Sequence, residues 1–220
     1  MRCIAHRGFA GVNPENTLQA LRDAAAAGAD AVEIDVRRCG SGEVVVVHDE
    51  TVDRVSDGRG RVADLPLETL ADLDVLDTGQ GVPTLREAFA TVPGDVTVNV
   101  ELKERGLAGD VLAVADEYDS DVLVSSFDPQ ALREVRAAGS VPVALLFAEE
   151  PRDRLDTAAG LHCRAVHPHW RLCDAEFVSE AHATGFDVNA WTIQSPEVAR
   201  DLQAVDVDGL IADTPHTCRR

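Results

Sequence analysis

Four short stretches of this sequence carry side chains that do chemistry, at spacings of one or two residues. His6 and Arg7 stand together near the start, Glu33 and Asp35 are two apart in "AVEIDV", His48 closes "VVVVH", and Glu101 and Lys103 are two apart in "NVELK". Residues two apart on a strand point to the same face. E-x-D therefore delivers a pair of carboxylates, and E-x-K a carboxylate beside an ammonium. Glu33, Asp35 and Glu101, with no thiolate nearby, make an all-oxygen donor set that suits Mg²⁺ or Ca²⁺ better than zinc. His6 and His48 aimed at one carboxylate cluster supply what in-line displacement at phosphorus needs, an acid and a base that titrate near neutrality. Three carboxylates, one divalent ion and the cations Arg7 and Lys103 sum to about +1, a match for a singly charged phosphodiester. Alone, E-x-D reads as a surface pair or a salt-bridge network, and a lone histidine as structural. The combination is what points to a site.

Lys103 is the only lysine in a chain that uses arginine 19 times. An ammonium is a compact point charge that sits beside a cation and neutralises one phosphoryl oxygen, whereas a guanidinium is wide, planar and demands a forked partner. Where arginine replaces lysine almost everywhere, the survivor marks a place that arginine does not fit.

The elements that must position these groups follow from hydrophobic patterning. Strand-like runs cover residues 3–8, 31–37, 96–103, 122–127, 143–148, 165–170, 187–192 and 208–213, and helical patterns lie between them at 16–28, 84–92, 107–118, 128–139, 152–160, 174–185 and 195–205. Eight strands alternating with helices predict a single (β/α)8 TIM barrel over 1–220, ahead of an open doubly wound sheet. "RRCGSGE" is too short for a helix, so Val44–Val47 is expected to return antiparallel on the second strand and set His48 beside Ile34. The segment from there to residue 83 is a long excursion on the same rim, within a 40–83 insertion. After "DGLIADTP" only "HTCRR" remains, so the final helix is missing or vestigial, and the uncovered groove is a candidate homodimer surface.

Composition sets the surroundings. A formal charge of −19 opposes compaction, and at 1 M salt the Debye length is only ~3 Å, so the excess of Asp and Glu reads as adaptation to high salt. The same charge argues against nucleic acid and anionic membranes as partners. Five cysteines, an odd number without C-x-x-C spacing, are expected to be reduced thiols. No signal peptide or membrane span is legible, which predicts a cytoplasmic protein.

An ordered set of motifs, "AHRG", "PENT", "GADAVEIDVRR", "VVVVHDETVDRVSDGRG", "VPTLREAF", "NVELK", "VSSFDP", "NAWT" and "VDGLIADTP", spans nearly the whole chain and resembles the glycerophosphodiester phosphodiesterase family. The resemblance implies a (β/α)8 barrel that hydrolyses small-molecule glycerophosphodiesters to glycerol 3-phosphate and an alcohol with a divalent cation, Mg²⁺ or Ca²⁺ foremost and Mn²⁺ as a substitute. It implies His6 and His48 as the acid–base pair, Glu33, Asp35 and Glu101 as metal ligands, and Arg7 and Lys103 as phosphate-facing cations. Glu15 would orient Arg7, although "NTLQ" also reads as a helix cap with Asn16 at the N-cap and Gln19 at N3. Trp191 and Phe127 would wall the glycerol site or pack in the barrel core. His167 and His169 match no motif and are expected on a polar rim.

On this reading His48 activates either the neighbouring glycerol hydroxyl, which leads through a cyclic phosphate, or a water, while His6 protonates the departing alcohol. The rivals are a related phosphodiesterase acting on lysophospholipids or another diester, and a non-catalytic barrel binding module.

Overall fold

Side-chain alternation along the second strand governs the architecture. The computed structural model describes residues 1–218. Its strands are β1 (Arg2–Ala5), β2 (Ala31–Arg38), β3 (Val44–Val46), β4 (Thr97–Leu102), β5 (Val122–Ser126), β6 (Val143–Phe147), β7 (Ala165–Pro168), β8 (Asp187–Ile193) and β9 (Gly209–Ala212). All but β3 are parallel to their neighbours, and β1 pairs with both β2 and β9, so eight strands close into the predicted (β/α)8 barrel. On β2 and β4, Val32, Ile34, Val36, Val98, Val100 and Leu102 point outward into the main core under the helices. Their alternates, Glu33, Asp35, Asn99 and Glu101, point inward and are buried. Closure turns a local period of two into a polar interior wrapped in an apolar shell.

The helices are α1 (Leu18–Ala26), α2 (Leu67–Ala71), α3 (Leu85–Thr91), α4 (Ala108–Ala115), α5 (Pro129–Ala138), α6 (Pro151–Gly160), α7 (Ala175–Thr184) and α8 (Pro196–Ala204). Several start on a side chain that accepts a free backbone N–H: Thr17 for α1, Thr84 for α3 in a reciprocal capping box with Glu87, Asp128 for α5, Asp174 for α7 and Ser195 for α8. Each such cap contributes about 1 kcal/mol.

The structure differs from the sequence reading in several places. The N-cap of α1 is Thr17 and not Asn16; Asn16 lies in the left-handed region at φ 58°. The first strand stops at Ala5, and His6–Gly8 form a 3-10 turn with Arg7 at φ 51° and Gly8 at φ +77°. Only glycine fits there, since a Cβ would lie 2.7 Å from the Ala20 Cβ. The turn swings His6 and Arg7 over the barrel mouth.

β3 pairs Val46 with Val36, and Val47 N donates to Asp35 O at 2.9 Å. The same register carried two residues further would set His48 opposite Ile34, but β3 ends at Val46, and His48 leaves the alternation that keeps Ile34 in the outer core. The excursion is not a bare loop. It contains α2 and a small core of its own, with Cys39, Val45, Val47, Val52, Val55, Val62, Leu70, Val75 and Val82 buried together. From Val52 to Val82 these apolar residues follow neither a period of two nor of 3.6, which is why that stretch reads as an excursion without elements.

After β9, Pro215–Cys218 form a 3-10 turn that packs on β1, β9 and α8 with Thr217 buried. The expectation of five reduced thiols is corrected here. Cys218 is disulfide-bonded to Cys3 across 215 residues of sequence, leaving Cys39, Cys163 and Cys173 free. Barrel closure sets β1 beside β9, a proximity that cysteine spacing cannot reveal. His167 is also off the rim: it is fully buried in the barrel, with Nε2 3.0 Å from Asn189 Nδ2.

Candidate active site

At the C-terminal mouth of the barrel a cavity of about 150 Å³ is lined by His6, Arg7, Glu33, His48, Glu101, Lys103, Phe127 and Trp191, with Asn99, Leu146, Thr192 and Ile211 completing it. Eight of the ten residues singled out from sequence thus share one wall. The other two, Asp35 and Glu15, stand behind it and hold its cations. A wider depression of about 670 Å³ lies at the opposite end, around the starts of β4, β5, β7 and β8, but its Arg2 and Arg164 are both spent on Asp187, at 3.0 and 3.1 Å.

Glu33, Asp35 and Glu101 each present an oxygen within 4.8 Å of the others'. Glu33 Oε1 is buried without a hydrogen-bond partner, and Asp35 Oδ1 has only the Lys103 ammonium at 3.4 Å, an arrangement that costs stability unless something charged completes it. Burial and the neighbouring Asp35 push the Glu33 carboxyl up to about 8. Burial and Asp35 raise Glu101 as well. Asp35 resists: burial would raise it, but Arg7 and Lys103 outweigh burial and hold it below the ordinary value. Three crowded oxygen donors fit a hard divalent cation.

The cations interlock with this cluster. Arg7 Nε lies 3.0 Å from Asp35 Oδ2, while its Nη1 donates to Glu15 Oε1 at 3.0 Å. Lys103 Nζ lies 2.5 Å from Glu101 and 3.4 Å from Asp35. Asn16, freed from capping, donates from Nδ2 to Asp35 Oδ2 at 2.9 Å. The "PENT" segment is therefore a clamp over Asp35 and Arg7.

Each histidine has a carboxylate partner that the sequence reading missed. His6 Nδ1 is 2.6 Å from Asp213 Oδ1, and Asp213 Oδ2 accepts from Gln194 Nε2 at 2.7 Å. His48 Nδ1 is 2.6 Å from Asp49 Oδ1. Such partners set which ring nitrogen faces the cavity, here Nε2. Burial lowers His6, but Asp213 and the charge of Glu33 outweigh it and leave the group above its ordinary value. Burial dominates at His48, where Asp35 and Asp49 offset it only in part, and the group lies below. The signals were available: Asp49 is adjacent to His48, and Asp213 follows the last strand, where barrel sites gather.

Phe127 and Trp191 meet edge to face at 5.3 Å, and Trp191 meets His169 in the same way at 5.3 Å. Trp191 Nε1 donates to His167 O at 2.7 Å and its ring packs on Ile4, Ala31 and Ile211, so it both walls the cavity and belongs to the barrel interior. Phe127 is 43% exposed, a mouth residue and not core.

Residues 6–217 match the family model described as the glycerophosphoryl diester phosphodiesterase family. The chain is 33% identical to the glycerophosphodiester phosphodiesterase of Caldanaerobacter subterraneus subsp. tengcongensis, over 97% of this chain and 94% of that protein. It is 36% identical to human glycerophosphodiester phosphodiesterase 1, over 87% of this chain and 71% of that protein. Among solved structures it resembles an Oleispira antarctica phosphodiesterase in complex with the product sn-glycerol-3-phosphate, with TM-score 0.90 and 32% identity, covering 98% of this chain and 94% of that one. A glycerophosphodiester phosphodiesterase from Thermotoga maritima gives TM-score 0.86 at 28% identity, covering 98% and 95%.

Proposed function

Because the chain belongs to the glycerophosphoryl diester phosphodiesterase family, we propose that it hydrolyses water-soluble glycerophosphodiesters to glycerol 3-phosphate and an alcohol, with a divalent cation as cofactor. The observation that carries this reading is the meeting of three buried carboxylates, two carboxylate-backed histidines and two cations around one cavity. Glu33, Asp35 and Glu101 would hold the cation, which when bound supplies electrophilic polarisation of the phosphoryl group.

The rest follows from the chain's own groups. Arg7 and Lys103 face the cavity and neutralise phosphoryl oxygens as charge accumulates on them. His48, kept neutral by its lowered value, takes the proton of the attacking hydroxyl. His6, whose protonated form the Asp213 hydrogen bond favours, gives a proton to the departing alcohol oxygen. If that hydroxyl is a water's, its oxygen bonds to phosphorus as the bond to the alcohol breaks; if it is the glycerol's, the cyclic phosphate formed is opened by a water in a second exchange, and one water is consumed either way. Phe127 and Trp191 offer apolar faces to the carbon skeleton of the glycerol.

No helix among the described residues is long and apolar enough to cross a membrane. The −19 charge supports a protein that works in high salt. The deciding experiment is an assay of a glycerophosphodiester panel, including glycerophosphocholine and glycerophosphoethanolamine, with Mg²⁺, Ca²⁺ or Mn²⁺ at rising KCl. Release of glycerol 3-phosphate that is abolished by a chelator supports the reading. No turnover of any diester at any salt would sink it.

A further inference from the structure

We propose that Arg54 is a positioning residue that yokes His48 to Arg7, so that the excursion sets the proton-transferring and the phosphate-binding groups in register through one guanidinium. The inference rests on the function proposed above and adds a residue to its machinery.

Arg54 belongs to the excursion, six residues beyond His48, the nearest residue in sequence that lines the cavity. Its flanks Val52 and Val55 are buried in the excursion's own core, and Val52 N donates to Gly60 O at 3.0 Å. The base of the side chain is thereby fixed. All three of its nitrogens are then spent on two carboxylates. Nε donates to Asp49 Oδ2 at 2.6 Å, while Nη1 and Nη2 donate to Glu15 Oε2 and Oε1 at 2.7 and 2.8 Å.

Each carboxylate passes the contact on. The second oxygen of Asp49 holds His48 Nδ1 at 2.6 Å, and Glu15 Oε1 also accepts from Arg7 Nη1 at 3.0 Å. Arg7 Nε in turn lies 3.0 Å from Asp35. An unbroken chain therefore runs His48–Asp49–Arg54–Glu15–Arg7, joining a group expected to move a proton to one expected to hold the phosphate.

Stability alone does not account for this chain. The Arg54 side chain is 49% exposed, and ion pairs at that exposure contribute little to folding. What a forked, planar donor adds is geometry, since it fixes the relative orientation of two carboxylates as no single-point charge does. Lysine keeps the charge but offers it from one point, without the planar fork that fixes the two carboxylates relative to each other. Chemistry that depends on near-attack geometry loses on the order of 10²-fold for a displacement of about 1 Å.

The test is steady-state hydrolysis of glycerophosphocholine with saturating cation by Arg54→Ala and Arg54→Lys, beside Asp49→Asn and Glu15→Gln. A second readout is the His48 Nδ1 proton resonance in the cation-loaded protein. Asp49→Asn should lower kcat chiefly, and Glu15→Gln should raise KM chiefly. Arg54→Ala should do both, with kcat down about tenfold or more and the His48 resonance lost to exchange, and Arg54→Lys should stay close to Arg54→Ala. Wild-type kcat and KM in Arg54→Lys, or a loss in Arg54→Ala that vanishes when corrected for the folded fraction, would overturn the inference. If the wild-type protein hydrolyses no diester, the functional reading falls. The His48 resonance then decides the inference by itself: retained in Arg54→Ala, it overturns the yoke.

Discussion

His6 and Asp213 are 207 residues apart in sequence, yet their Nδ1 and Oδ1 atoms lie 2.6 Å apart at the barrel mouth. One follows the first strand and the other the last, and only closure of β9 on β1 brings them together. Asp213→Asn should therefore leave the fold intact and lower kcat about tenfold or more, approaching the ~10²-fold loss expected of His6→Ala or His48→Ala. Circular dichroism with steady-state kinetics checks this. Full activity in both histidine variants would remove the acid–base assignment.

The two imidazoles are displaced in opposite senses, which predicts a bell-shaped pH profile. His48 must be neutral to act as base, so kcat/KM climbs as pH rises through its depressed value, below the ordinary ~6.5. His6 must be protonated to act as acid, so the rate falls as pH rises through its elevated value, above ~6.5. Removing the Asp213 charge takes away support for the imidazolium, so Asp213→Asn should move the alkaline limb to lower pH. An alkaline limb that stays put in that variant argues against the pairing.

Glu33 sits at about 8 and is largely protonated at neutral pH. A cation bound by the triad has to displace that proton. Calorimetric titration with Mg²⁺ or Ca²⁺ in two buffers of different ionisation enthalpy should show proton release at pH 7, with affinity rising as pH approaches about 8 and flattening beyond it. Glu33→Gln should bind more weakly and release no proton. Equal heats in both buffers for the wild type would separate Glu33 from the cation.

Lys103 Nζ is wedged between Glu101 at 2.5 Å, Asp35 at 3.4 Å and the Phe127 ring at 6.0 Å from its centroid. A guanidinium spreads the charge over a wider plane and does not reproduce this point contact. Lys103→Arg should lower kcat/KM about tenfold or more despite keeping the charge, as read from steady-state kinetics. Wild-type turnover would make the single lysine an accident of composition.

The Cys3–Cys218 bond closes a loop of 215 residues, and on the chain-entropy account such a crosslink contributes about 5 kcal/mol. Alkylation of the unreduced, denatured protein should modify three thiols, Cys39, Cys163 and Cys173, and Cys218→Ser should lower the melting temperature. Five modified thiols would show the pair to be open.

Which side chains face the site was legible in the linear chain. The E-x-D of residues 33 and 35 and the E-x-K of residues 101 and 103 obey strand alternation, a local rule that holds wherever a strand forms. The hairpin register that pairs β3 with β2 follows from turn length, which is also local. Asn16 was misread because "NTLQ" satisfies the capping pattern one residue early, and only the structure shows its amide bound to Asp35.

The remainder is non-local. The Asp213 partner of His6, the Cys3–Cys218 bond and the burial of His167 inside the ring all depend on the first and last strands meeting. The bridge from Arg54 to Glu15 depends on a valine cluster that folds the excursion back over the β1–α1 loop. Residue type and spacing specify what each strand end offers. Which offers touch is decided by barrel closure and by irregular packing, where neighbours are chosen by three-dimensional register and leave no periodic trace in the chain.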